Sequence, residues 1–252
     1  MAGPAARSPV IIRSPNPAAK LRLFCFPYAG AGAGAYREWS DLLPKDIEIA
    51  AVQLPGREWR IHEQPQTDMQ ALAADALESI RPYLDKPFAL LGISMGGTLI
   101  FELSRLLRAA GGPLPTCLIP MAIGAPHLPE EKLFHKLPDA ELIAEVGEFG
   151  VLSEEVTTHP ELVEMLLPIL RADCTAHETY SYKDEPPFSF PIWIYAGFGD
   201  ELLTRERLDA WSMHTTSTCR VHMLQGGHLF VDAMPELLLQ SLARRLYESV
   251  PT

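Results

Sequence analysis

Cysteine is scarce in this 252-residue chain: Cys25, Cys117, Cys174 and Cys219 lie far apart and form no C-x-x-C pair. Cys25 and Cys117 fall in apolar runs typical of buried strands, where a thiol acts as a small hydrophobe. A reduced, cytoplasmic protein is expected, not a disulfide scaffold. Basic runs are missing as well. The formal net charge of −11 excludes nucleic acid as a partner, because gripping a phosphate backbone needs clustered Lys and Arg. The eight histidines show no metal-ligand spacing, so neither a metal nor another cofactor is implied. No apolar stretch approaches the length of a membrane span, and Val10-Ile11-Ile12 is too short for a signal-peptide core. Residues 1–20, rich in Pro and Ala, are expected to form a flexible tail ahead of one domain over 21–252.

Apolar residues make up 47% of the chain, enough for a sizeable core. Short apolar runs at 21–26, 47–54, 88–93, 116–123, 191–196 and 220–224 alternate with helical patterns at 67–83, 95–110 and 235–247. Continuous Val/Ile/Leu runs in such an alternation predict a mostly parallel α/β sheet with helices on both faces. Between about 127 and 185 the alternation stops and the spacing is helical throughout. Pro160 and Glu161 suit a helix first turn, and Pro168 is expected to bend that helix. An all-helical insertion between two parallel strands reads most simply as a lid over their carboxyl ends.

Gly92-Ile93-Ser94-Met95-Gly96 matches G-x-S-x-G, a pattern expected by chance only about 0.06 times at this glycine and serine content. It directly follows the apolar run Phe88-Ala89-Leu90-Leu91 and directly precedes a helix. That is the strand–turn–helix setting of a nucleophilic serine, with small neighbours where the turn is crowded. The helix N-terminus would favour a developing oxyanion.

A serine hydroxyl needs a base, and the base an orienting acid. His228 follows the last predicted strand in Gln225-Gly226-Gly227-His228, where two glycines permit a tight turn. His214 and His222 lie before or within that strand. Asp200 ends Tyr195-Ala196-Gly197-Phe198-Gly199-Asp200 at the carboxyl end of another strand, with Glu201 as its nearest rival. The order Ser94, Asp200, His228 is that of the α/β-hydrolase fold. The backbone N–H groups of Met95 and Ala29 are the expected oxyanion donors. Gly30-Ala31-Gly32-Ala33-Gly34-Ala35 also fits a weak dinucleotide fingerprint. Dinucleotide binding would need an acid at the end of the second strand, where Gln53 and Leu54 stand.

These residues resemble the type II thioesterases that accompany polyketide and nonribosomal peptide synthases. The resemblance rests on Phe26-Pro27-Tyr28-Ala29-Gly30, Tyr36-Arg37-Glu38-Trp39, Leu54-Pro55-Gly56-Arg57-Glu58, Ser94-Met95-Gly96-Gly97, Ala125-Pro126-His127, Leu170-Arg171-Ala172-Asp173 and Gly226-Gly227-His228-Leu229-Phe230. It implies hydrolysis of acyl groups from the phosphopantetheine arm of acyl- or peptidyl-carrier proteins, through an acyl-enzyme on Ser94; separately, a monomer is expected. The family's Ala-Gly-Gly-Ser loop is Ala29-Gly30-Ala31-Gly32 here, a departure that bears on loop geometry because alanine tolerates positive φ poorly. Carrier proteins are generally acidic, like this chain, so docking calls for a local cationic rim, for which Arg57, Arg60, Lys132 and Lys136 are candidates. The same side chains read equally well as solvated surface. The rival functions are a general carboxylesterase or lipase, and a catalytically silent synthase-binding protein.

Overall fold

A strand that is apolar on both faces must be covered on both, and the sheet is built accordingly. The computed structural model describes residues 7–152, 156, 158–232 and 235–249. Its strands are β1 (Val10–Ile11), β2 (Leu21–Phe26), β3 (Ile47–Val52), β4 (Phe88–Ile93), β5 (Leu118–Met121), β6 (Ile192–Gly197) and β7 (Cys219–Leu224). They form one sheet in the order β1-β3-β2-β4-β5-β6-β7. Every pairing is parallel except that of β1 with β3. All residues of β2 to β6 are buried, while the edge strand β7 is only partly covered.

One expectation needs correction. Residues 7–20 are not a loose tail throughout, because Val10 pairs with Val52 and Ile11 with Ala51. Val10 is buried and completes the sheet edge. Residues 1–6 lie outside the described residues.

The helices are α1 (Trp39–Leu42), α2 (Met69–Ile80), α3 (Met95–Ala109), α4 (Asp139–Glu148), α5 (Pro160–Glu178), α6 (Arg205–Asp209) and α7 (Pro235–Ser249). The Asp68 side chain caps α2 by accepting the Ala71 amide at 2.8 Å, satisfying one of the orphan donors of the first turn. On one face of the sheet, Leu72 of α2 and Leu99 and Leu103 of α3 pack with Phe24 and Leu90. On the other, Trp39 of α1 and Leu239, Leu242 and Leu246 of α7 pack with Leu23 and Leu91.

The segment between β5 and β6 holds a short 3-10 turn at Phe134–Lys136, α4 and α5. It has a small core of its own, with Leu142, Val146, Leu152, Leu170 and Cys174, against which Ala29 of the loop after β2 packs. Pro160 opens α5 as expected, and Pro168 lies inside the helix without ending it.

Where the insertion begins, His127 Nδ1 lies 2.8 Å from His214 Nε2, with His214 packed against Phe101, Tyr182 and Trp211. One imidazole donates and the other accepts, so the accepting nitrogen carries no proton. Burial, then the neighbouring His127 and Arg105, pushes His214 down to about 4, and burial lowers His127 too. Such groups bind protons in the unfolded chain before they do so in the fold, so stability falls as pH drops below about 6.5. For His214 that decline continues to about 4. Denaturant unfolding between neutral pH and pH ~4.5 is expected to show a steeper acid loss for wild type than for His214→Gln. Parallel curves would contradict this assignment.

Candidate active site

The chain leaves β4 and enters α3 through one residue, Ser94, at φ 51° and ψ −121°. A non-glycine residue there carries strain of roughly 1–3 kcal/mol and is held by its surroundings. The Ser94 amide donates to the Met121 carbonyl at 2.7 Å, and the Gly97 amide to the Ser94 carbonyl at 2.7 Å. The crowding at this turn explains its glycines. A Cβ on Gly92 would lie 2.0 Å from the Gly96 carbonyl oxygen, and one on Gly96 would lie 2.6 Å from that of Phe26. No side chain fits either position.

Asp200 and His228 come from the loops after β6 and β7, and these loops are fastened together. The Phe198 amide donates to the Leu224 carbonyl at 2.8 Å and the Gly199 amide to the Gly226 carbonyl at 2.9 Å. A Cβ on Gly197 would lie 2.3 Å from the Gly227 carbonyl oxygen. The Asp200 side chain has 0% exposure; its Oδ1 accepts the Leu202 amide at 3.0 Å. Its Oδ2 lies 2.9 Å from His228 Nδ1, and His228 Nε2 lies 3.0 Å from Ser94 Oγ. An ionised carboxylate only accepts, so the proton sits on Nδ1 and Nε2 is left to accept from the serine hydroxyl. The three side chains singled out in the sequence thus meet in one hydrogen-bonded relay. The rivals stand elsewhere: Glu201 is exposed, His214 pairs with His127, and His222 stacks on Tyr195 with centroids 4.9 Å apart.

Met95 and Ala29 line the same cavity as Ser94 and His228. Neighbouring amides are committed: that of Ser94 to Met121, that of Ala31 to the Tyr28 carbonyl at 3.1 Å, and that of Gly30 to Asp173 Oδ2 at 2.8 Å. Among the described residues, the amides of Met95 and Ala29 have no acceptor within the chain. In this loop the left-handed conformation falls on Gly30, at φ 79°, and not on Ala31. The departure from the family's loop sequence therefore strains nothing. Gln53, which stands where a dinucleotide site needs an acid, is buried and accepts the Ala33 amide at 2.9 Å. It anchors the glycine-rich loop.

The cavity measures about 80 Å³, and the insertion forms much of its wall through Phe134, Val146, Phe149 and Leu170. His177 and Glu178 of α5 and Glu130 also line it, residues the sequence did not single out. His177 Nδ1 lies 3.3 Å from Thr98 Oγ1, and burial lowers its pKa. A lone histidine on a helix gives no sequence signal of its position over a cleft.

The cationic rim needs correction at two of its four positions. Arg57 and Arg60 are 3% and 8% exposed. Arg57 forks onto Asp173, and Arg60 onto Asp75 and Glu63. Lys132 is exposed but pairs with Glu145; Lys136 is exposed.

A thioesterase domain model matches residues 21–246. This chain belongs to the thioesterase domain family. It is similar to the gramicidin S biosynthesis protein GrsT of Aneurinibacillus migulanus, 40% identical over 232 residues that cover 92% of this chain and 91% of that protein. Among solved structures it is similar to the type II thioesterase BorB of the borrelidin biosynthetic cluster, with a TM-score of 0.87, 34% identity and coverage of 97% and 100% of the two chains. It is also similar to the RedJ thioesterase of the prodiginine pathway in Streptomyces coelicolor, with a TM-score of 0.87, 33% identity and coverage of 93% and 90%. The α/β-hydrolase architecture with a mostly parallel sheet follows from both the topology and these neighbours.

The turn at Ser94 generates a direct test. Gly92→Ala must move backbone, not a side-chain tip, and is expected to cost more than about 3 kcal/mol, as other severe steric conflicts in cores do. Denaturant unfolding measures it. A variant within about 1 kcal/mol of wild type would show that the turn relaxes freely.

Proposed function

We propose that this thioesterase hydrolyses acyl groups from the phosphopantetheine arm of carrier proteins in polyketide or nonribosomal peptide synthesis, through an acyl-enzyme on Ser94. The observation that carries the proposal is the Ser94–His228–Asp200 relay, with bonds of 3.0 and 2.9 Å, in a chain of the thioesterase family. Relatives from gramicidin S, borrelidin and prodiginine biosynthesis support the pathway class.

Ser94 Oγ attacks the thioester carbonyl while its proton passes to His228 Nε2. The imidazolium that forms is stabilised by the buried Asp200 carboxylate. The carbonyl oxygen, now negative, is met by the amides of Met95 and Ala29, and the N-terminus of α3 adds its partial positive charge. When the tetrahedral intermediate collapses, the carbon–sulfur bond breaks and the thiol leaves with the proton from His228. Little protonation is needed, because a thiolate departs readily. Water then gives a proton to His228 and attacks the ester carbonyl; Ser94 recovers its proton as the acid is released. The insertion acts as a lid whose apolar side chains take up the acyl chain and exclude bulk water.

Incubation with an acyl-loaded carrier protein, followed by intact-mass measurement, is expected to show loss of the acyl mass with the phosphopantetheine arm retained. Ser94→Ala should slow this by about 10⁶-fold. Strong preference for a matched oxygen ester over the thioester would point to a carboxylesterase instead. Undiminished turnover by Ser94→Ala would remove Ser94 from the mechanism, and no turnover by wild type would favour a silent binding protein.

A further inference from the structure

Asp173 of α5 is the one acid of the insertion helix whose side chain has 0% exposure, paired with Arg57 at 3%. Two residues from different parts of the chain, 116 positions apart, meet beneath the loop that follows β2. Arg57 Nη1 donates to Asp173 Oδ2 at 2.5 Å and Nη2 to Oδ1 at 2.8 Å, the two-pronged geometry that fixes orientation as well as distance. Both partners also bind the loop. Asp173 Oδ2 accepts the Gly30 amide at 2.8 Å, and Arg57 Nη1 donates to the Ala31 carbonyl at 3.1 Å.

Those contacts lie immediately C-terminal to the amide that matters for the reaction. Gly30 sits at φ 79°, in a conformation where glycine has freedom to rotate, and Ala29 immediately precedes it. With the Gly30 amide held by Asp173 and the Ala31 carbonyl held by Arg57, the backbone is tied on both sides of the Gly30–Ala31 peptide, next to Ala29, which lines the cavity and whose amide has no acceptor among the described residues. The clamp is referenced to a fixed element. Around it on α5, Ile169, Leu170, Ala172, Cys174 and Ala176 are buried, and His177 meets Thr98 of α3 at 3.3 Å.

We propose that Arg57 and Asp173 are positioning residues for the oxyanion hole: the buried pair orients the loop after β2 so that the Ala29 amide meets the thioester oxygen. This rests on the thioester-hydrolysis reading of the site. It assigns a role to the two segments, Pro55-Gly56-Arg57-Glu58 and Leu170-Arg171-Ala172-Asp173, that the catalytic relay leaves unused. A pair serving stability alone would lower the melting temperature on removal and leave turnover per folded molecule intact. A positioning pair acts on the transition state, so its loss appears in kcat and not in KM.

The test uses the full chain with p-nitrophenyl acetate, an ester that needs no carrier, and in parallel with an acyl-loaded carrier protein. Arg57→Lys keeps the buried charge paired but lacks the fork that spans both carboxylate oxygens and the Ala31 carbonyl. It is expected to lower kcat about ten-fold with KM within about two-fold of wild type. The double variant Arg57→Met/Asp173→Leu leaves no unpaired buried charge and is expected to lose about 10²–10³-fold in kcat, the effect of losing one oxyanion donor. Wild-type kcat in either variant, once circular dichroism shows it folded, overturns the proposal, as does a loss carried by KM alone. If the double variant does not fold, Arg57→Lys decides by the same split. Wild type that turns over the ester through Ser94 but leaves the carrier thioester intact would defeat the function proposed above and leave the clamp standing, so the two failures are distinguishable.

Discussion

A serine held at φ 51° between a buried strand and a buried helix persists only where its surroundings leave no relaxed alternative. Here they leave none. The Ser94 amide is taken by β5, its carbonyl by Gly97, and the backbones of Gly92 and Gly96 approach each other too closely for any side chain. This constraint sets much of what surrounds it. Once the hydroxyl is fixed above the carboxyl edge of β4, a side chain that bonds it must arrive from a neighbouring loop, and the parallel sheet places the ends of β6 and β7 on that same edge. The contacts between the Asp200 and His228 loops then set the ring's distance to Ser94, because neither loop can shift without the other.

Burial makes the relay directional. With its carboxylate withdrawn from solvent, Asp200 has two uses, the Leu202 amide and the His228 Nδ1 proton. Low local dielectric strengthens the second and penalises any tautomer that leaves the carboxylate unmatched. Orientation of the imidazole is thus an electrostatic consequence of where Asp200 lies, and the serine receives an acceptor and not a competing donor.

That Ser94, Asp200 and His228 lie within hydrogen-bonding reach of one another was legible in the sequence because each carries a local signature: glycines at a crowded turn, or a strand end followed by a tight loop. The buried strands were legible for a similar reason, since continuous apolar runs such as Phe88–Ile93 need no partner to be recognised. What escaped was whatever depends on a distant partner. β1 is two residues long and follows Pro9, with no periodicity to mark it; it forms because β3 offers an open edge. Arg57 reads as surface from its charge alone, and its acid stands 116 residues away. His177 and Glu178 reach the cavity only through the path of α5, which spacing does not determine.

Removing Arg57 and Arg60 from the surface also changes how partner recognition must be understood. In a chain of net charge −11, long-range attraction cannot favour any acidic partner, since electrostatic steering needs complementary fields. Burying arginines as internal fasteners uses cations that would otherwise relieve that repulsion at the rim. Of the two, Arg57 also reaches the loop after β2 through the Ala31 carbonyl, while Arg60 is held by Asp75 and Glu63. Buried ion pairs are often no better for stability than apolar contacts. What the fork of Arg57 adds is direction: it holds two oxygens of Asp173 and one carbonyl of the loop at once, which an apolar side chain cannot do.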